Sequence, residues 1–282
     1  MGATGSGKSK LSIDLATRYF PSEIINSDKI QVPKGLDITT NKISKPEQNG
    51  VVHHLLGESE YSFSDFTSTD FRFEGDKIIT NIINRHKLPL IVGGSNSFIY
   101  ALLSNRFNPG LDVFENPAQL ISNELRFNCC FIWVDVKTPV LNQYLFKRVD
   151  EMIKTGMCEE LEDFFKENGY SGSGSDSGRV AGLRKAIGVP EMEGYFRKKK
   201  SYEEAVSEIK ENTRLLAEKQ RWKIKQLREA GWDIQRVDAT EAFKAAMMTP
   251  LLPENGQNQA RVIWERDVVI PSMKIVKHFL LE

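Results

Sequence analysis

Short apolar runs alternate with stretches of helical periodicity over the first half of the chain. The runs cover Glu23–Ile25, Leu88–Val92 and Cys129–Val134, and each ends at a polar residue or a glycine. Because they are unbroken, they predict parallel strands that are buried on both faces. Apolar residues recur at helical spacing between them, which predicts helices over Lys10–Phe20 and Asp70–His86. The pattern is typical of an α/β fold with a parallel sheet.

The second half of the chain is predicted to be mainly helical. Helical spacing extends over Tyr144–Phe165, with a break at Gly156, and again over Tyr202–Ala230. Between these stretches, Gly169–Gly178 (GYSGSGSDSG) has the composition of a mobile linker. Ser104–Asn123 is rich in Asn, Pro and Gly, which predicts an exposed excursion.

The segment GATGSGKS, at Gly2–Ser9, fits the phosphate-binding pattern G-x-x-x-x-G-K-[ST] in full. Its glycines let several backbone N–H groups face one anion, while Lys8 adds a mobile positive charge and Ser9 a hydroxyl for Mg²⁺. The helical pattern that follows at once argues against a plain glycine-rich turn. A P-loop normally follows a buried strand, so we expect that an N-terminal strand, and any targeting peptide before it, has been removed ahead of Met1.

This motif makes the expected fold class α/β, with a P-loop NTPase-like parallel sheet flanked by helices and a smaller, mainly helical lobe. We expect residues 1–140 to form the P-loop core with the phosphate cradle and Asp28. Residues 141–230 are expected to form a mainly helical lobe that closes over the substrates. Residues 231–282 are expected to return to the core.

Asp28 follows the first predicted strand, at the rim where ligands gather in open parallel sheets. A carboxylate there would repel a diphosphate unless it had another task, and we expect it to accept a proton from an attacking group. The alternative is a carboxylate that caps a helix or binds Mg²⁺ through water. Cations that could close over a leaving diphosphate are Arg184, Lys185, Arg214 and Lys219, although helical Lys and Arg are usually solvated.

Composition narrows the functional classes. The 282 residues carry 38 basic and 38 acidic side chains, which is the balance of a soluble enzyme and argues mildly against a dedicated polynucleotide binder. The three cysteines have neither zinc-binding spacing nor a disulfide framework, which favours a reducing compartment. No apolar run has the length of a membrane span, and no signal peptide is visible.

Taken together, the motifs resemble the isopentenyltransferase family that prenylates adenine. The blocks that carry the resemblance occur in the family's order: GATGSGKSKLSIDLA, NSDKIQVPKGLDITTNK, VVHHLL, LPLIVGGSNSFIYALL, KRVDEMIKTGMCEEL, GLRKAIG and ENTRLLAEKQ. A P-loop alone is common to many folds, whereas this ordered series is specific.

The resemblance implies that the P-loop holds the diphosphate of dimethylallyl diphosphate rather than that of ATP. Asp28 would withdraw a proton from the exocyclic amine of adenine, and Thr4 would contact the oxygen that bridges prenyl group and diphosphate. The implied diphosphate ligands are Gly5, Ser6, Gly7, Lys8, Ser9, Arg184 and Lys219, and Ser9 would also hold Mg²⁺. The implied nucleotide-binding residues are Asp28, Thr40, Ser95 and Asn96.

Within the family, the chain resembles the plant adenylate isopentenyltransferases of cytokinin biosynthesis, which accept ATP, ADP or AMP. The segment from Leu103 to Lys147 is short, and no zinc motif is present. We therefore expect small-molecule substrates, a monomer, and no nucleic-acid or membrane partner. The resemblance implies a plastid location after loss of a transit peptide, with the cytoplasm as the alternative. The departures from the family pattern are Pro33 for Tyr, Val189 for the Tyr of the transfer RNA enzymes, and Lys219 for a common Arg.

Three hypotheses stay open at this point. The first is prenyl transfer to a free adenine nucleotide, with transfer RNA prenylation as its nearest neighbour. The second is a small-molecule kinase, because a P-loop with an Asp after the next strand also suits phosphoryl transfer. The third is a nucleotide-controlled binding module without turnover, which predicts that Asp28→Ala leaves function intact. The ordered blocks favour the first.

Overall fold

The computed structural model describes residues 1–58, 66–171, 180–248 and 255–281. Its helices are α1 (Lys8–Arg18), α2 (Ser68–Asn84), α3 (Asn96–Leu103), α4 (Pro117–Leu120), α5 (Thr138–Lys154), α6 (Met157–Asn168), α7 (Val189–Phe196), α8 (Tyr202–Glu229), α9 (Thr240–Met248), α10 (Asn255–Trp264) and α11 (Ile270–Leu281). Most of the predicted linker, residues 172–178, lies outside the described residues. No helix in the described ranges has both the length and the apolarity to cross a bilayer.

The strands confirm the predicted parallel sheet. They are β1 (Ser22–Asn26), β2 (His53–His54), β3 (Leu88–Val92), β4 (Phe131–Asp135) and β5 (Ile234–Asp238). These five strands pair in parallel, in the order β2-β1-β3 in one group and β4-β5 in the other. Because Asn26 pairs with Val92, the loops that follow β1 and β3 leave the sheet at the same rim.

An apolar groove of about 330 Å³ lies between the two groups of strands and is lined by both β3 and β4. Met1 lies at this groove and pairs with β4: its amino group donates to the Ile132 carbonyl over 2.6 Å, and its carbonyl accepts from the Val134 N–H over 3.0 Å. The P-loop therefore begins directly from the edge of β4.

The helical lobe has its own core, separate from the clusters that cover the sheet. It is formed where the end of α5 meets α6, α7 and the start of α8, and its fully buried side chains include Met157, Leu161 and Met192. The predicted break at Gly156 is present, since this residue precedes α6 with a φ of 107°, a left-handed conformation that suits glycine. Gly156 thus ends α5 and redirects the chain into α6.

The prediction of an exposed excursion over Ser104–Asn123 is wrong in part. Val113 and Phe114 are buried, with 7% and 5% of their surface exposed. The Phe114 ring meets that of Tyr100 edge-on, with ring centroids 6.5 Å apart. Composition marked the segment as a loop, but two apolar residues within it anchor the loop to the core.

Glu23 joins the three strands of the larger group. Its carboxylate is 1% exposed and accepts hydrogen bonds from Arg85, from Lys87 at 2.9 Å and from His54 at 2.8 Å. The Arg85 hydrogen bond, followed by those of Lys87 and His54, holds the pKa of this carboxyl well below its usual range. Glu23 lies on β1, His54 on β2 and Lys87 next to β3, so one buried charge ties the strands together.

We expect Glu23→Gln to lower the free energy of unfolding by about 2 kcal/mol at pH 7, less than for a fully buried pair because Arg85 and Lys87 are half exposed. A lowered carboxyl pKa stabilises the fold above the pKa of the unfolded chain, so the difference should shrink as the pH falls below about 4. Urea unfolding followed by circular dichroism measures both effects. Glu162→Gln, on the exposed face of α6, is the control; an equal loss there would contradict the prediction.

Candidate active site

The P-loop has the backbone of an anion cradle. Gly5 and Gly7 adopt φ values of 73° and 90°, which are left-handed conformations that favour glycine. A Cβ on Gly7 would lie 2.7 Å from the Trp264 ring, so a larger residue has no room there. Helix α1 begins directly afterwards at Lys8, and its first turn leaves backbone N–H groups without helical partners. The buried Ser6 hydroxyl has no hydrogen-bond partner within the described ranges.

Lys8 lies inside this cradle, and its ammonium donates to the Ala3 carbonyl over 2.6 Å. Burial lowers the pKa of Lys8 to about 8; repulsion from Arg148 adds to the effect, and attraction to Asp28 opposes it. An ammonium in such surroundings gains from an anionic neighbour, because a negative charge offsets the cost of burial.

Asp28 follows β1, and its two carboxylate oxygens differ in their contacts. One caps a turn, and the other is available to accept a proton. Its Oδ1 atom accepts from the Ile30 N–H over 3.3 Å, which caps the 3₁₀ turn at Lys29–Gln31. Its Oδ2 atom has no hydrogen bond to another described residue. Burial raises the pKa of Asp28, while the charges of Lys8 and Arg148 counteract that rise. A raised pKa suits a carboxylate that must take up a proton.

Arg148, on α5, is a site residue that the sequence reasoning missed. Its Nη2 atom donates to the Thr4 hydroxyl over 3.0 Å, and its Nε atom is buried with no hydrogen-bond partner among the described residues. Burial lowers the pKa of Arg148. The signal was available, because Arg148 follows Leu141 and Leu145 at helical spacing and therefore belongs to the buried face of α5.

Gln220, on α8, is the second residue that was missed. Its Oε1 atom accepts from the Thr4 N–H over 2.7 Å, and its backbone carbonyl accepts from Asn96 over 3.1 Å. A Cβ on Gly94 would lie 2.3 Å from the Gln220 amide nitrogen, so the glycine allows α8 to approach the loop after β3. A signal was present here too, because Gln220 lies three residues after Ala217 and four before Ile224, on the buried face of α8.

The predicted nucleotide-binding residues fall into two groups. Ser95 and Asn96 lie at the rim: the Ser95 hydroxyl accepts from the Lys29 N–H over 3.0 Å, and the Oδ1 atom of Asn96 is buried without a described partner. Thr40 lies on the loop after the 3₁₀ turn, where its hydroxyl donates to the Leu36 carbonyl over 2.7 Å. Glu160 fixes this loop by accepting from the backbone of residues 38 and 39.

Two predicted diphosphate ligands lie in different settings. Arg184 donates to the carbonyls of Asn168 and Gly169 over 2.8 and 2.9 Å and faces the Phe164 ring, which places these contacts at the end of α6. Lys219 is exposed on α8, next to Gln220. Their roles, like those of Gly5 to Ser9, stay predictions. No cluster of three or more His, Cys, Asp or Glu that could hold a metal occurs in the part of the chain that the structure describes.

Comparison with known proteins gives a consistent result. The sequence model described as IPP transferase matches residues 31–117 and 110–226. An adenylate isopentenyltransferase of Humulus lupulus is 50% identical over 301 residues, covering 100% of this chain and 89% of the relative. Adenylate isopentenyltransferase 1 of Arabidopsis thaliana, named as chloroplastic, is 49% identical over 296 residues, which cover 100% of this chain and 80% of the relative. Other Arabidopsis relatives are named chloroplastic, and one is named mitochondrial.

A solved structure of a eukaryotic dimethylallyltransferase acting on tRNA is similar to this chain with a TM-score of 0.74. The two are 24% identical, and the alignment covers 99% of this chain and 78% of the other. At this identity the likeness shows the fold alone, and it confirms the P-loop NTPase-like class that the sequence predicted.

We expect Lys8→Met to raise the free energy of unfolding by about 2 kcal/mol at pH 7. The folded state holds the pKa of Lys8 near 8 against an ordinary value of 10.5, so its charge destabilises the fold below about pH 8. This destabilisation disappears as the pH rises towards 10.5, and the advantage of the variant should disappear with it. Urea unfolding at several pH values measures it. Lys154→Met, at an exposed lysine, serves as control; a gain that is independent of pH contradicts the prediction.

Proposed function

Because the chain belongs to the IPP transferase family, we propose that it transfers the dimethylallyl group of dimethylallyl diphosphate to the exocyclic 6-amino group of a free adenine nucleotide. The observation that carries this proposal is the identity of about half of all residues, over the whole chain, with adenylate isopentenyltransferases. The prenylated adenine nucleotide is the product of the first step of cytokinin biosynthesis. The site described above has the groups that this alkyl transfer needs.

Asp28 is the residue that we propose as the base. An aromatic amine is a weak nucleophile, and its attack on the allylic carbon requires loss of a proton from nitrogen. One carboxylate oxygen of Asp28 is committed to the Ile30 N–H and the other has no described hydrogen bond, so a proton acceptor is available without breaking the turn. The raised pKa increases the affinity of this oxygen for the proton.

The P-loop is proposed to bind the departing diphosphate. The charge that develops on that group is stabilised by the free N–H groups of the first turn of α1 and by Lys8. Arg148 donates to the Thr4 hydroxyl, which leaves the hydroxyl hydrogen of Thr4 free to be donated to the oxygen that bridges the two parts of the donor. Gln220 also fixes the Thr4 backbone, so the Thr4 hydroxyl would already be in position before the bridging oxygen of the donor binds.

Mg²⁺ is proposed to bind at Ser9 together with oxygens of the diphosphate. The residues fit this role, because Mg²⁺ commonly keeps several waters and combines few protein ligands with substrate phosphates. Ser9 is exposed at the start of α1, and its hydroxyl has no hydrogen bond to another described residue. When bound, the ion would neutralise charge on the leaving diphosphate.

A second candidate is transfer of the same group to adenine in transfer RNA, which the fold of the eukaryotic enzyme acting on tRNA favours. For the location, we propose the plastid, since several of the relatives are named chloroplastic. We further propose that the protein acts as a monomer, as expected from the sequence.

The proposed function is tested by offering the purified protein dimethylallyl diphosphate and Mg²⁺ with ATP, ADP, AMP or a transfer RNA in separate reactions. We expect a prenylated free nucleotide, detected by a mass increase of the nucleotide. Prenylated transfer RNA with unmodified nucleotides would favour the second candidate. Consumption of ATP without a prenyl donor would instead favour a kinase.

We expect Asp28→Ala to abolish prenyl transfer while the dissociation constant for dimethylallyl diphosphate stays within about twofold of the original, because Asp28 takes the proton and does not hold the diphosphate. Lys8→Ala should impair both, with binding at least about tenfold weaker. Calorimetry measures the binding and product mass the transfer. Asp163→Ala, at an exposed carboxylate on α6, controls for charge loss. Equal loss of diphosphate binding in the Asp28 and Lys8 variants would refute this division of roles.

A further inference from the structure

Lys42 is a nearly buried lysine that the proposed reaction does not use. It lies at the end of the 35–42 loop, which follows the 3₁₀ turn capped by Asp28, and 5% of its side chain is exposed. Burial of an ammonium group costs free energy, because the charge loses its hydration. A neutral side chain of similar length would avoid this cost, so the fold keeps a charge here at the expense of stability.

The ammonium of Lys42 is held by its own loop. It donates to the Gly35 carbonyl and, over 3.2 Å, to the Thr40 hydroxyl. It also forms an ion pair with Asp37 at 3.0 Å, although the Asp37 side chain is 70% exposed. Because water screens an exposed carboxylate, this pair gives the ammonium a fixed place and only part of the compensation for its burial.

Gln31 connects the 35–42 loop to the candidate base. Its backbone N–H donates to the Asp28 carbonyl over 3.0 Å, within the turn that the Asp28 side chain caps. Its side-chain amide donates to the carbonyls of Thr40 and Asn41 over 3.0 and 3.1 Å. The turn that carries Asp28 and the loop that carries Lys42 are therefore joined by hydrogen bonds into one unit.

Three cations act on the Asp28 carboxylate. Burial raises the pKa of this carboxyl, and the charges of Lys8, Arg148 and Lys42 oppose the rise. Lys8 lies inside the cradle, and Arg148 donates to Thr4 of the P-loop. A bound diphosphate would bring negative charge to both of these cations, which offsets much of their effect on Asp28. The hydrogen bonds of Lys42 go to its own loop, so its charge stays available to the base.

Three carboxylates favour the charged form of Lys42. Burial lowers the pKa of this lysine, and it is opposed by Asp37, by Glu160 on α6 and by Asp28 itself. Glu160 also accepts from the backbone of residues 38 and 39, so the helical lobe holds the same loop in place. The position and the charge of Lys42 are therefore both fixed by its surroundings.

We propose that Lys42 is a positioning residue for the candidate base: it fixes the loop joined to the Asp28 turn and keeps this carboxylate ionised while the donor diphosphate is bound. The inference rests on the proposed function for the identity of the donor. Asp28 can take a proton from the adenine amine only in its ionised form, so a base that is already protonated stops the transfer. The cations of the cradle serve the leaving group, and Lys42 serves the base.

The pH dependence of kcat tests this role, because it reports the ionisation of the base in the substrate complex. Lys42→Gln keeps a hydrogen-bond donor and loses the charge. We expect its kcat to be about threefold to fivefold lower at pH 5 and within about twofold of the original at pH 8. Loss of the cation favours the protonated carboxyl, so the deficit grows as the pH falls. Lys42→Arg keeps the charge and should follow the original profile.

A titration of Asp28 gives a second readout that needs no turnover. NMR of isotope-labelled aspartate carboxyl groups, with Asp28→Asn to identify the resonance, is recorded on the free protein and with inorganic diphosphate. We expect the Asp28 carboxyl to lose its proton at higher pH in Lys42→Gln than in the original protein, under both conditions. Lys45→Gln, at an exposed lysine three residues later, is the control and should leave the titration unchanged.

The proposal is overturned if Asp28 titrates alike in Lys42→Gln and in the original protein. An equal change in Lys45→Gln or in Lys42→Arg overturns it too, because the effect would then not come from the charge at this position. Lys42→Met is a second neutral variant, used if circular dichroism shows that Lys42→Gln is not folded. Absence of prenyl transfer by the original protein would refute the proposed function instead, and the titration would still decide the role of Lys42.

Discussion

Thr4 forms two hydrogen bonds with distant parts of the chain, and the geometry of the candidate site depends on them. Its backbone N–H is held by Gln220 of α8, and its hydroxyl by Arg148 of α5. Glycine-rich loops are flexible by composition, so without these contacts the cradle would have no fixed position relative to the helical lobe. The P-loop is thus oriented by helices that lie more than a hundred residues later in the sequence.

The same arrangement concentrates charge. Lys8, Arg148 and Asp28 shift one another's pKa values, and burial moves each towards its neutral form. Two buried cations beside a single carboxylate form a site that is electrostatically incomplete without a polyanion. Binding of the proposed diphosphate would therefore relieve this imbalance, which is a common relation between stability and function in binding sites.

The sequence predicted the sheet well and the site only in part. Unbroken apolar runs identify buried strands because both faces are covered, and Leu88–Val92 was placed to the residue. The P-loop and Asp28 were found because their positions follow from local spacing. Arg148 and Gln220 carry a weaker signal, a polar side chain on an apolar helix face. Their contacts with Thr4 could not be predicted, because these depend on the approach of separate elements. The buried Phe114 was missed because composition alone does not show which loop residues face the core.

The Trp264 ring beside Gly7 connects the last part of the chain to the P-loop. Its indole N–H donates to Asp14 of α1 over 2.8 Å, and Trp264 belongs to one apolar cluster with Leu11 and Leu15 of the same helix. The helix that begins at the phosphate cradle is therefore packed against the end of α10. A protein shortened after β5 would leave this side of α1 without the ring that covers it.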